Sequence, residues 1–345
     1  MKRKLWLWGG GGLALLLLSI FASLSLGSVN VPVRHIVGIV LSHMPVAADH
    51  IEKTWSVAEE QIIWKVRLPR VALGMLIGAA LSLAGAAYQG VLRNPLADPF
   101  TLGVSSGASV GAAFLLYFGL QYAIFGQWTL PVVAFATALA TLAVVLRMAM
   151  MDGKWKMETL ILSGVVMQAF LGAIVSFFVA ISKQVINEIV YWLMGSLALR
   201  GWSYPGIIAP YVVIGGLILF AYAKPMNLFA LGERQAAHLG VNVERTKLVV
   251  LIVSTMLTAA AVSVAGVIGF VGLIVPHLIR LLAGPDYRLL LPLSALGGAV
   301  YVLWADTIAR TLLSPMEIPI GVVTAFLGAP FFAFLLQKYK RTLGR

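Results

Sequence analysis

Long apolar stretches, cut at charges and at Gly/Pro clusters, recur along almost the whole chain. They fall at about residues 5–26, 71–91, 101–118, 129–149, 158–182, 206–223, 247–267, 270–283, 290–311 and 320–337. Crossing the hydrocarbon of a bilayer takes ~20 consecutive apolar residues in a helix. Inside lipid the backbone must satisfy its own polar groups, which an unbroken helix does. The pattern therefore predicts an all-α polytopic membrane protein of about ten transmembrane helices, with the third and eighth short and the seventh and eighth nearly continuous. Polar residues gather in two connections. Residues 27–66 hold Asp49, Glu52, Glu59 and Glu60, and residues 224–246 read KPMNLFALGERQAAHLGVNVERT. In the second, Leu231, Ala236, Ala237 and Leu239 mix with Glu233, Arg234, Gln235 and His238 between Gly232 and Gly240. That spacing predicts a short amphipathic helix, either an ordinary connector or a docking element for a cytoplasmic partner.

Composition narrows the class. The 345 residues are 60% hydrophobic and 11% charged, with no cysteine, which removes disulfides, thiolate metal sites and thiol catalysis together. The net charge of +12 does not describe a nucleic-acid protein, because the basic residues are scattered between apolar runs. Beside membrane spans, positive charge sets topology. Lys2, Arg3 and Lys4 precede the first apolar run, which is too long for a signal peptide and is taken as span one. With the N-terminus inside, Arg34, Lys53, Lys65, Arg67, Arg70, Lys183, Arg200 and Arg310 fall outside; these 8 leave 17 of the 25 basic residues inside. The bias places both termini in the cytoplasm, 27–66 outside as an external loop, and 224–246 inside, within one transmembrane domain over 1–345.

Residues 79–85 read AALSLAG and residues 260–266 read AAVSVAG, identical at 5 of 7 positions. One lies on span two and the other on span seven, so the copies cross in opposite directions. An inverted repeat of this kind places a transport pathway near a pseudo-twofold axis, although small residues are also common at helix contacts in membranes.

Two catalytic signatures are missing: the sequence holds no G-x-x-x-x-G-K-[ST] phosphate loop and no H-E-x-x-H. His35, His43, His50, His238 and His277 lack ligand spacing apart from a loose external trio, the basis for a membrane-enzyme alternative with a metal site. An ion-coupled secondary carrier would keep a carboxylate at membrane depth. Asp306 is the nearest candidate, four residues before Arg310 and able to pair with it. Gln168 is expected as a second buried polar group, in mid-span.

The motifs then become specific. Residues 67–111 read RLPRVALGMLIGAALSLAGAAYQGVLRNPLADPFTLGVSSGASVG. YWLMGSL stands at 191–197, GVIGFVGLIVPHLIRLLAGPDYR at 266–288 and ADTIARTLLSPMEIPIGVVTAFLGAPF at 305–331. In this order, from about residue 13 to 338, the chain strongly resembles the permease subunits of ABC importers for iron–siderophore complexes, haem and vitamin B12. The resemblance implies a homodimer or pseudo-dimer with its pathway at the dimer interface. Two cytoplasmic ATPase subunits bind below, and an extracytoplasmic binding protein delivers cargo from above. The chain itself would bind no cofactor, with ATP and Mg on the ATPase subunits, which accounts for the missing phosphate loop. It implies ATPase coupling by Gly232, Glu233, Ala236, Leu239 and Gly240, and binding-protein docking by Arg67, Arg70 and Arg310, expected as exposed arginines. Asn94 and Leu96, with Met157 and Thr159, are implied at the cytoplasmic gate. There KWKMETLILSG departs from the small hydroxyl residues usual in the family. Pro276 and His277 belong to a further family motif and are read as structural. The expected setting is the bacterial cytoplasmic membrane, and the expected cargo a metal chelate, ferric siderophore first, then cobalamin or haem.

Overall fold

A computed structural model describes residues 2–27, 29–44, 52–151 and 154–343. All ten predicted spans coincide with helices. The long ones are α1 (Lys2–Ser25), α4 (Leu68–Val91), α6 (Thr129–Ala149), α7 (Met157–Ile181), α9 (Ser203–Ala221), α12 (Val243–Ala265), α14 (Tyr287–Thr311) and α15 (Ile320–Leu343), after α2 (Val33–Ser42) and α3 (Val57–Gln61) in the outer connection. The short third and eighth spans are α5 (Val104–Tyr117) and α13 (Val271–Ala283). Three further short helices are α8 (Ile186–Leu193), α10 (Ala223–Phe229) and α11 (Glu233–His238). Seven helical stretches are long and apolar enough to cross a bilayer.

The two helices that carry the echoed heptapeptide form the centre. In the apolar window of the stretch that contains α4, 78% of residues are buried, and in that of α12, 72%, against 11% for α7 and 17% for α1. The echo thus marks the most enclosed pair of helices, joined by a hydrogen bond between the Tyr88 and Thr255 hydroxyls. Close approach explains small residues on α4. A Cβ on Gly78 would overlap the Gly298 carbonyl of α14, and one on Gly85 the Gly272 carbonyl of α13. Only residues without a side chain let these backbones meet, so dispersion between helices replaces the missing hydrophobic drive in lipid.

Spans seven and eight are separate helices, as expected, set apart by residues 266–270, which break the helix with Gly266 at φ +73° and Phe270 at φ +69°. One boundary differs from expectation. Span two begins well before residue 71. The chain is helical from Val57, passing through a π-helical turn at Ile62–Arg67 into α4. Cutting the pattern at charges placed the boundary too late, since Arg67 and Arg70 are absorbed by internal partners. Ser56 and Glu59 form a reciprocal capping box that starts this helix.

The described parts of the outer connection pack against each other. His35 Nδ1 lies 3.0 Å from Glu59 Oε1, His43 Nε2 lies 3.6 Å from Glu60, and the His43 ring stacks on Trp64 at 3.9 Å. These contacts hold α2 against the start of the long helix. His50 lies outside the described residues, and among those described no group of three potential ligands could hold a metal ion.

Candidate functional site

The outer arginines converge, but not as exposed groups. Arg67 ends the π-helical turn and is 5% exposed; Arg310, in the last turn of α14, is 8% exposed. Both reach the C-terminal end of α1. Arg67 donates to the carbonyls of Leu24 at 2.6 Å, Ser25 at 3.2 Å and Val29. Arg310 donates to Leu26 O at 2.9 Å and to the Ser23 carbonyl and hydroxyl. The last carbonyls of a helix lack intrahelical partners and carry partial negative charge. Two guanidinium groups answer both needs, so Arg67 and Arg310 cap α1. Arg70 is bidentate on Asp306, with Nε and Nη2 at 2.9–3.0 Å, and also reaches Glu317 at 2.9 and 3.1 Å. Arg310 Nε lies 3.6 Å from Asp306, the pairing expected from their spacing. The carboxylate that a secondary carrier would require at membrane depth is therefore held between two arginines. A small cavity of about 190 Å³ opens onto this group, lined by Gly27, Arg67, Arg70, Arg310, Ser314 and Glu317.

Gln168 also departs from expectation. It is exposed in the middle of α7, the least enclosed long helix, and does not enter the core.

On the inner side, the predicted amphipathic helix is α11, set between Gly232 and Gly240. At φ +105° and +85° these two adopt backbone that other residues resist. Ala236 is fully buried beneath α11, whereas Leu231 and Leu239 are 58% and 60% exposed. Glu233 faces inward: Lys247 Nζ, 2% exposed on α12, donates to Glu233 at 2.7 Å and to Glu244 at 3.4 Å. The other end of the platform is fixed too. Asn227 on α10 donates to Asp286 at 2.7 Å and accepts from Tyr287 N at 2.8 Å, which ties α10 to the start of α14. Hydrogen bonds from Arg288 hold the Asp286 carboxyl down at about 2, against the opposing effect of burial. Thus, among the five positions expected to couple, four build the platform and Leu239 projects from it.

The gate candidates lie in the turn after α4 and in the first turn of α7. Asn94 Oδ1 accepts from Leu96 N at 2.9 Å, closing its own turn, while Leu96 is 48% exposed. Met157 packs on the main core in the first turn of α7, with Thr159 half-buried beside it. Pro276 is buried within α13, and the His277 ring lies 6.4 Å from Phe332.

Sequence reasoning missed Asp98. It accepts from Phe100 N at 2.9 Å, capping the short 3-10 helix Pro99–Leu102, and is only 6% exposed. Burial pushes its carboxyl up to about 6, opposed by that backbone hydrogen bond. A raised carboxyl contributes stability that is full below its ordinary value near 3.8 and is lost as pH rises through about 6. Asp98→Asn keeps a capping acceptor and removes the charge. It is expected to stabilise the chain at pH 7.5 by roughly 2 kcal/mol, with the gain absent at pH 4; thermal unfolding at both values checks this.

The chain belongs to the FecCD transport family, whose model matches residues 15–338, and so to the permeases of ABC importers for metal chelates. It is 44% identical over 96% of its length to an uncharacterized ABC transporter permease protein, YvrB, of Bacillus subtilis (strain 168), covering 93% of that protein. The cobalamin import system permease protein BtuC of Halobacterium salinarum is 48% identical over 80% of this chain and 73% of its own length. A solved structure described as an inward-facing conformation of a metal-chelate type ABC transporter superposes with a TM-score of 0.80 at 33% identity. That match covers 95% of this chain and 98% of the other.

Proposed function

We propose that this chain is the membrane half of an ATP-driven importer that carries a metal chelate inward. The carrying observation is the α10–α11 platform, which presents Leu231 and Leu239 while Lys247 and Asn227 lock it to α12 and α14. A cytoplasmic ATPase that grips the exposed leucines moves those two helices directly, because the platform cannot swing independently. Two ATPase subunits supply ATP and Mg, and this chain binds no cofactor. A second copy covers α7, because an exposed mid-span Gln168 is costly against lipid and acceptable against protein or a wet pathway. Leu96, with Asn94, Met157 and Thr159, narrows the inner exit. The setting is the bacterial cytoplasmic membrane.

An extracytoplasmic binding protein docks over the outer arginine cluster. Charge-assisted contact with its carboxylates falls to Arg70, whose exposed partner Glu317 is replaceable, while Arg67 and Arg310 shape the floor. The cargo is a metal chelate, with ferric siderophore, cobalamin and haem as the classes to compare. Cobalamin draws support from the relative of 48% identity named for its import. Uptake of labelled ferric siderophore, cobalamin and haem by the reconstituted complex is expected to favour one of them at least tenfold. Equal, slow uptake of all three would overturn the chelate assignment.

A further inference from the structure

The outer face holds a second site, away from the arginine cluster, the platform and the gate. Two adjoining cavities of about 560 and 410 Å³ share Leu116, Glu188, Trp192 and Arg200 as lining residues. They open between the outer end of α5, α8 and the connection that follows it. Around them three buried polar atoms have no partner among the described residues: Trp192 Nε1, Arg200 Nε and Gln121 Oε1. Trp192 itself is only 9% exposed, so its indole N–H is turned away from bulk water. Buried polar groups are normally satisfied, and an unmet charged donor is among the most costly. The Arg200 guanidinium stands over the Tyr204 ring at 5.3 Å, which fixes its plane. Glu188 shares the wall with Arg200, yet the two form no ion pair among the described residues.

The chemistry of the ligand follows from these groups. A guanidinium edge and an indole N–H are two donors, suited to a carboxylate. The Gln121 carbonyl is an acceptor, suited to a hydroxyl. Glu188 disfavours a bare polyanion and tolerates one whose charge is offset by a bound cation. We propose that this cavity binds a hydroxycarboxylate metal chelate at the outer mouth, with Arg200 and Trp192 holding its carboxylate and Gln121 its hydroxyl. This rests on the importer reading and names the class of cargo that this site selects.

The test is fluorine NMR of the full chain in nanodiscs, with its nine tryptophans replaced by 5-fluorotryptophan. Trp192→Phe assigns the Trp192 line, and gallium(III) citrate serves as a diamagnetic probe. The Trp192 line is expected to shift saturably with gallium citrate and to stay in place with cyanocobalamin, which has no carboxylate. Arg200→Gln is expected to weaken the response at least tenfold while the other lines keep their positions, which shows that the variant is folded. Glu188→Gln is expected to tighten it several-fold, an effect that a purely structural role would not give. An unmoved Trp192 line, or an equal response in Arg200→Gln, overturns the site. ATP-driven uptake of cobalamin or a siderophore by the chain reconstituted with its ATPase and binding protein in proteoliposomes would then leave the importer reading intact.

Discussion

Lys247→Met is expected to cut ATP-driven uptake roughly tenfold while leaving the chain assembled in the membrane. The buried ammonium is the only described group that ties Glu233 of α11 to α12, at 2.7 Å. A hydrogen bond between charged partners contributes about 1.5–3 kcal/mol. Glu233 is about one-third exposed, so solvent screening reduces this toward the lower end. Each 1.4 kcal/mol shifts an equilibrium about tenfold, which here separates an attached platform from a loose one. Methionine fills the space of the lysine stem, and Glu233 and Glu244 can both turn to water, so the fold survives. ATP hydrolysis by the partner subunits is expected to continue without transport. Measuring hydrolysis and uptake on one preparation checks this; unchanged uptake would show that α11 is not held through Lys247.

Arg67→Ala and Arg310→Ala are expected to lower thermal stability more than any change at the exposed arginines of the outer loops. Each removes a guanidinium that satisfies carbonyls at the end of α1. A buried carbonyl left without a donor costs about 1–3 kcal/mol, so each variant is expected to lose roughly 3 kcal/mol. Gly27→Ala acts through the same joint, since its Cβ would overlap the Arg67 guanidinium and lie 3.3 Å from Arg310. Melting curves of the three variants in one detergent are expected to fall together by roughly 5 °C or more. Glu317→Gln makes the contrast: it releases one side of Arg70, leaves the α1 cap untouched, and is expected to keep the wild-type melting point.

These residues show what the sequence made legible. The ten spans and the α11 helix between two glycines could be read because apolar length and helix-terminal glycine are local signals. The central position of α4 and α12 was foreshadowed by the AALSLAG and AAVSVAG echo, although sequence alone could not separate symmetry from generic small-residue packing. The exposure of Arg67 and Arg310 was misjudged because their partners are backbone carbonyls 38 to 43 and 284 to 287 residues away, and a carbonyl leaves no trace in the sequence. Gln168 was misplaced for a related reason: hydropathy finds a span but not which side of it meets the core. The role of Lys247 depends on α11 folding back 14 residues, a tertiary event. The Ser56–Glu59 capping box, by contrast, is fully local, but cutting the pattern at charges passed over its S-x-x-E signature, which moves the start of the long helix outward to Val57.

Coupling to an ATPase docked on α11 is expected to drive cargo inward through this chain. Its most direct test is uptake into proteoliposomes that contain the chain with its ATPase and binding protein, with ATP either sealed inside or absent, and with or without a proton or sodium gradient. Uptake is expected only with ATP inside and the binding protein outside, whatever the gradient. Uptake that follows an ion gradient without the ATPase would contradict ATPase-driven transport.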